Sequence, residues 1–174
     1  MRFAQHGLEP DLVTMGKPMG NGHPVAGLAG RPEHIAAFAE QSRYFNTFGG
    51  NTVSIAAAQA VLSVIQDDGL IENARRIGAR LRDGIAGLGS ERVAEVRGAG
   101  LFIGVDLVDA DGHPDEPFTL DVVNALRERR VLLAASGPDN ASLKIRPLLV
   151  FDDADADRLL EQLSAVLRNP RARL

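Results

Sequence analysis

The chain has no cysteine and no tryptophan, and of its 19 basic residues only Lys17 and Lys144 are lysines. Without cysteine there is no disulfide framework, no thiolate metal site and no thiol nucleophile. No apolar run approaches the roughly 20 residues that span a bilayer, and the N-terminal stretch MRFAQHGLEPDL has no signal-peptide apolar core. These features give the cytoplasm as the expected compartment. Positive charge is also scarce. A net charge of −4 leaves no footprint for nucleic acid or an anionic membrane, and the tail at Arg168, Arg171 and Arg173 is too short to supply one. The expected partners are therefore small molecules or other proteins.

Hydrophobic residues make up 45% of 174 positions, enough for a packed globular core in one domain or one and a half. The pattern predicts a short strand, LVTM (12–15), then the loop GKPMGNGHP and a second apolar run, VAGLAG (25–30). Pro32 suits the first turn of a helix over 32–40. A glycine-rich loop, YFNTFGGN, follows, and Asn51 or Thr52 can cap a helix over 53–67 that stops at Gly69. In the helix predicted over 70–88, Leu70, Ala74, Ile77, Leu81, Ile85 and Leu88 recur at three- and four-residue steps and form one apolar face.

After this helix the texture changes. VAEVR and LFIGVDLV read as strands separated by Gly98-Ala99-Gly100, and 109–118 as an exposed loop. A helix over 119–130, strands VLLAA and SLKIR, and a last helix capped by Asp152 and ending near Arg168 complete the pattern. Two domains are expected. Residues 91–174 form a compact unit of strands and helices, with the helices able to cover one face of a small sheet. Residues 1–50 hold too little structure to bury both faces of a strand such as LVTM, so they should belong to a larger sheet.

Lys17 stands after a strand among glycines and turn residues, where a ligand can approach the backbone. A lysine amine can condense with an aldehyde, and a guanidinium cannot. The nucleotide-binding pattern GxxxxGK[ST] would need glycine at 11 and serine or threonine at 18, where the chain has Asp11 and Pro18. By its residues alone, Lys17 is either a reactive amine or a solvated loop side chain.

PDLVTMGKPMGNGHPVAG resembles the cofactor-lysine segment of class III aminotransferases, and FNTFGGN their phosphate-contacting loop. RGAGLFIGVDLV and LKIRPLL resemble the two signature strands of the C-terminal domain. Order and spacing agree over nearly the whole chain. The resemblance implies an α/β fold, the C-terminal part of a fold type I transferase dependent on pyridoxal 5'-phosphate. Residues 1–68 would be the end of the large-domain sheet with its helices, and 69–174 the small α+β domain. Lys17 would form the Schiff base with the cofactor and move the proton at the substrate carbon, both of which need an unprotonated amine. Thr47 would bind the cofactor phosphate of the neighbouring subunit, which implies a homodimer, with Phe48, Gly49 and Gly50 shaping that contact. His23 is expected to be structural.

Arg97, Lys144 and Arg146 lie where family members hold a substrate carboxylate. Structural ion pairing is the other reading of Arg97 and Arg146, and lysine at 144, where arginine is commonest, departs from a bidentate clamp. VTMGKPMGNGHPV, YFNTFGGN, VLLAASGP and LKIRP are most similar to phospho-lyases acting on phosphoethanolamine or phosphohydroxylysine. Transamination of a small amine or amino acid is the competing activity. The glycine-rich phosphate loop, the aromatic ring over the pyridine and the aspartate at its nitrogen are not recognisable in the sequence. The chain is therefore expected to be a fragment, a mis-started gene product or one part of a split enzyme, with little or no activity alone and completed by the missing N-terminal part. The alternative is a non-catalytic interaction module derived from that family.

Overall fold

The computed structural model describes residues 6–169. Met1–Gln5 of the N-terminal stretch, and Arg171 and Arg173 of the basic tail, lie outside them. The chain divides into two compact units, Met1–Asp68 and Gly69–Leu174.

In the first unit, β1 (Leu12–Met15) pairs antiparallel with β2 (Gly27–Gly30), Leu12 opposite Gly30 and Met15 opposite Gly27. A 3₁₀ turn, Lys17–Gly20, follows β1 after Gly16. Helix α1 (Pro32–Gln41) starts on its proline, and α2 (Thr52–Asp67) is capped by Asn51, whose side chain accepts from the N–H groups of Val53 and Ser54. Neither helix has a buried residue. Val53, Ile55, Leu62 and Val64 on α2 are each about half exposed or more. Burial of apolar area is the main favourable term in folding. These helices obtain little of it within the described residues.

The second unit is a four-stranded antiparallel sheet in the order β3-β4-β6-β5, covered on one face by three helices. The elements are α3 (Leu70–Ala86), β3 (Val93–Ala99), β4 (Phe102–Leu107), α4 (Glu116–Glu128), β5 (Ala134–Ser136), β6 (Ser142–Ile145) and α5 (Asp153–Arg168). Along β4, Ile103, Val105 and Leu107 are buried and the residues between them are not, the period-2 signature of a sheet with one wet face. Leu143 and Ile145 continue the buried face on β6. Against it pack Ile77, Leu81 and Ile85 from α3, Val122 and Leu126 from α4, and Leu159, Leu163 and Val166 from α5. Asp152 and Asp155 form a capping box at the start of α5.

Val93 and Val96 are three residues apart, which in a regular strand would put them on opposite faces. A β-bulge at Ala94 gives β3 one extra residue against β4, so Val93 pairs with Leu107 and Val96 with Val105, both on the buried side. Gly98 has φ +144°, and a Cβ there would lie 2.1 Å from the Phe102 carbonyl oxygen, so only glycine fits. Several predicted boundaries shift. The glycines at 98–100 continue β3 into a tight hairpin, helix α4 starts at Glu116 after an Asp115 cap, and of the VLLAA stretch only Ala134 and Ala135 are paired, in a strand that runs on to Ser136. The last shift arises because β5 is an edge strand whose partner β6 supplies residues only from Ser142 to Lys144 for that pairing.

The contrast between the units is testable by thermal melts of the whole chain. Leu81→Ala, which empties a fully buried site, should cost about 2–5 kcal/mol. Leu62→Ala, at a site 48% exposed, should change stability by less than about 0.5 kcal/mol.

Candidate active site

Lys17 follows β1 with φ 54°, in the left-handed region that a side-chain-bearing residue occupies only at some energetic expense. Such strain persists where the surroundings over-determine it and concentrates at functional positions. The side chain is exposed, and its amine has no hydrogen bond or ion pair among the described residues. Behind it the loop is fixed. Gly20 is buried beneath Val25, Asn21 takes a left-handed conformation, and His23 Nε2 lies 2.9 Å from Ser54 Oγ on α2. His23 thus ties the lysine loop to a helix.

Thr47 sits in a turn organised by its neighbour Asn46, whose Oδ1 accepts from the N–H groups of Phe48 at 3.1 Å and Gly49 at 3.0 Å. This is an Asx turn. Asn46 Nδ2 donates to the Tyr44 hydroxyl, and Gly50 completes the bend at φ +73°. The arrangement leaves the Thr47 hydroxyl and N–H without a partner among the described residues and exposed to solvent. A threonine with both donors open suits an anion such as a phosphate oxygen. The sequence reading missed Asn46, although an asparagine two residues before Phe-Gly-Gly is a signal for this turn.

The second unit gathers the other three candidates on the open face of its sheet. Arg97 pairs with Gly104, and Gly104 pairs with Lys144, so the two cations flank a glycine in one cross-strand row. Arg146 lies two residues beyond Lys144, with its guanidinium carbon 5.7 Å from the centroid of the Phe102 ring. Arg97 lies along the bare surface of Gly104, where a Cβ would come within 3.5 Å of its guanidinium carbon. It donates to Asp106, and Glu95 is 3.5 Å away. Asp106 also accepts from the Ser142 hydroxyl on the neighbouring strand. Sequence reasoning missed Asp106 and Ser142, because their meeting depends on the register of β4 against β6.

Partial burial pushes the Asp106 carboxyl upward, but the hydrogen bonds from Arg97 and Ser142 outweigh it and hold the group below the ordinary carboxylate range. The Arg97 guanidinium is raised, chiefly by its bond to Asp106. The amine of Lys144 has no such partner among the described residues. Beside Lys144 and Arg146, past the last β5–β6 pair, a groove of about 510 Å³ opens, bordered also by Arg130, Leu133, Phe151 and Arg158. Elsewhere, Asp109, Asp111 and His113 cluster on an exposed loop, where Asp109 accepts from the N–H groups of the other two and so closes the turn.

The chain belongs to the class-III aminotransferase family, whose model matches residues 2–167. It is 40% identical over 165 residues to "Ethanolamine-phosphate phospho-lyase homolog 1" of Caenorhabditis elegans, which covers 92% of this chain and 35% of that protein. It is also 40% identical over 176 residues to "Alanine--glyoxylate aminotransferase 2-like" of Drosophila melanogaster, covering 95% and 36%. Among solved structures, a phospholyase from Arthrobacter in complex with phosphoethanolamine superposes with a TM-score of 0.92 at 40% identity, covering 96% of this chain and 40% of that one. An omega-transaminase from Thermomicrobium roseum superposes at 0.84 with 28% identity, covering 98% and 40%. The chain thus spans little more than a third of the curated relatives it matches. The α/β architecture expected of the C-terminal part of a fold type I transferase is the one observed. No helix among the described residues is long and apolar enough to cross a membrane.

The folded-state value of Asp106 is depressed, so its contribution to stability is present above the ordinary carboxylate value near 3.8 and is lost as pH falls through the lower folded value. Asp106→Asn should therefore melt lower than the wild type at pH 7, and the gap should narrow as melts are taken down to pH 3.

Proposed function

We propose that this chain is the lysine-bearing C-terminal part of a pyridoxal-phosphate-dependent class III enzyme acting on a small amine that carries an anionic group. Elimination of phosphate from a phosphorylated amine is the preferred reaction, and amino-group transfer the alternative. The observation that carries the proposal is the strained, unpartnered Lys17 at the end of β1, within a segment that follows the family pattern. When bound, the cofactor would supply an aldehyde for the lysine amine and an electron sink for charge developing on the substrate carbon. Lys17 would hold it covalently and then move a proton at that carbon from Nζ. The Thr47 hydroxyl and N–H would bind the cofactor phosphate of a second subunit, making the working assembly a homodimer or a complex with the remainder of the fold. Lys144 and Arg146 would hold the anionic group of the substrate.

The preference for a phosphorylated amine rests on Lys144. An ammonium is a point charge with three rotatable donors and does not match the planar oxygens of a carboxylate as an arginine fork does. A non-catalytic role has its own support. The second unit packs a complete core while α2 exposes Val53, Ile55, Leu62 and Val64, which suits a folded module that docks a partner.

Two experiments separate these readings. Incubation with pyridoxal phosphate followed by borohydride reduction should mark Lys17 in the wild type and nothing in Lys17→Ala. An unmarked Lys17, in the chain alone and in the chain joined to the rest of the fold, would leave the interaction module as the function. In the completed protein, phosphoethanolamine should release inorganic phosphate without alanine forming from pyruvate, and alanine formation would establish the transaminase. Lys17→Ala there should lose at least about 10³-fold in rate, as expected when a combined nucleophile and proton carrier is removed.

A further inference from the structure

The middle of the open sheet face is a glycine with a cation on either side. Arg97 on β3 and Lys144 on β6 are both cross-strand partners of Gly104 on β4. Two strand spacings, about 9–10 Å, separate their Cα atoms. The Arg97 side chain spans the first of these. It lies along the bare glycine, where a Cβ would be 3.5 Å from the guanidinium carbon and 3.6 Å from Nη2. How the guanidinium is held decides what it can still bind. Both neighbouring acids meet one nitrogen, Nη1: Asp106 accepts from it, and Glu95 Oε2 lies 3.5 Å from it. Ser142 donates to the other carboxylate oxygen of Asp106, which steadies the acid that orients the guanidinium. Nε and Nη2 have no hydrogen bond among the described residues, and the side chain is 47% exposed. Nη1 is the nitrogen on the Cδ side of the group, so the side-on edge formed by Nε–H and Nη2–H is left whole. Two parallel N–H groups of this kind are a bidentate site for an oxyanion. The Lys144 amine, on the far side of Gly104, is exposed and has no partner among the described residues.

We propose that Arg97 and Lys144 act together as a phosphate-holding pair, with Gly104 as the positioning residue that lets the guanidinium lie flat and reach towards Lys144. A carboxylate has two oxygens, and the Arg97 edge takes both. A phosphate monoester has three free oxygens, so two can meet the edge while the third meets the ammonium. The pair therefore ranks phosphate above carboxylate by oxygen count as well as by charge. A methyl group at position 104 would make ordinary contact beneath the guanidinium, but a branched side chain would lift it off the sheet. The inference rests on the reading of Lys144 as an anion-holding residue and adds Arg97 and Gly104 to it. The adjoining groove is a separate feature, where Arg130, Arg146 and Arg158 stand with an acid, Asp155.

Titration of the full chain with inorganic phosphate and, separately, with acetate, followed by ¹H–¹⁵N spectra, tests this without cofactor or turnover. In the wild type, phosphate should shift the Arg97 Nε–H and the Lys144 amide with one shared dissociation constant, and acetate should bind more weakly. Arg97→Lys keeps the charge and removes the edge, so phosphate affinity should fall about tenfold, the scale of a lost charge-assisted hydrogen bond. Lys144→Gln should lower phosphate affinity by a similar factor and acetate affinity far less, which brings the two anions together. Gly104→Val should lose the phosphate response of the Arg97 Nε–H without a lower melting temperature, because valine suits a strand better than glycine. Gly104→Ala should bind as the wild type does. A purely structural Gly104 would instead show a lower melt in Gly104→Val with binding unchanged. That result, an Arg97 Nε–H unmoved by phosphate in the wild type, or an unchanged phosphate affinity in Arg97→Lys would each overturn the proposal. Lys17 labelled by pyridoxal phosphate with no response at Arg97 sinks this inference alone. A response at Arg97 with Lys17 unlabelled sinks only the cofactor reading.

Discussion

Alternation along β4 governs what the second unit can do. Ile103, Val105 and Leu107 point into the helices, so Phe102, Gly104 and Asp106 must point the other way. A slip of one residue would put Asp106 in the core and three aliphatic side chains in water, a register error the unit could not survive. The buried face thereby dictates which side chains share the open face. Arg97, Glu95, Lys144 and Ser142 are brought beside Gly104 and Asp106 because their own strands are locked to β4 through the same core. The chemistry on the open face is a by-product of packing on the closed one.

The first unit is organised differently. Its local geometry is well determined by caps and turns, with Asn46 and Asn51 satisfying backbone N–H groups and His23 fastened to Ser54. It has almost no interior. Local hydrogen bonds give shape and burial gives most of the stability, and here the two are distributed over different parts of the chain. A lysine in a strained conformation on so thinly buried a frame fits a chain spanning little more than a third of its relatives' length.

Much of the fold could be read from the sequence where a residue type has a single strong structural use. Asp152 and Asn51 as caps, Gly69 as a stop and the apolar face of α3 all hold. Lys17, Arg97, Lys144 and Arg146 were singled out by position within recognisable segments. What could not be read depends on pairing. The bulge at Ala94 interrupts the alternation that strand reading relies on. The placement of Asp106 needs the register of three strands, and the late start of β5 needs its partner. The left-handed backbone at Lys17 has no compositional signal, since lysine is not a residue that favours it.

The uneven interior also bears on the heat capacity. The change in heat capacity on unfolding follows apolar surface newly exposed to water, about 12–15 cal/mol/K per residue in well-packed proteins. Helices α1 and α2 have no buried residue to release. Calorimetry of this chain should therefore register a domain of roughly 100 residues, about 1.2–1.5 kcal/mol/K, and not the larger value that 174 residues would suggest. Its stability curve would be correspondingly flat, and joining the remainder of the fold would sharpen it.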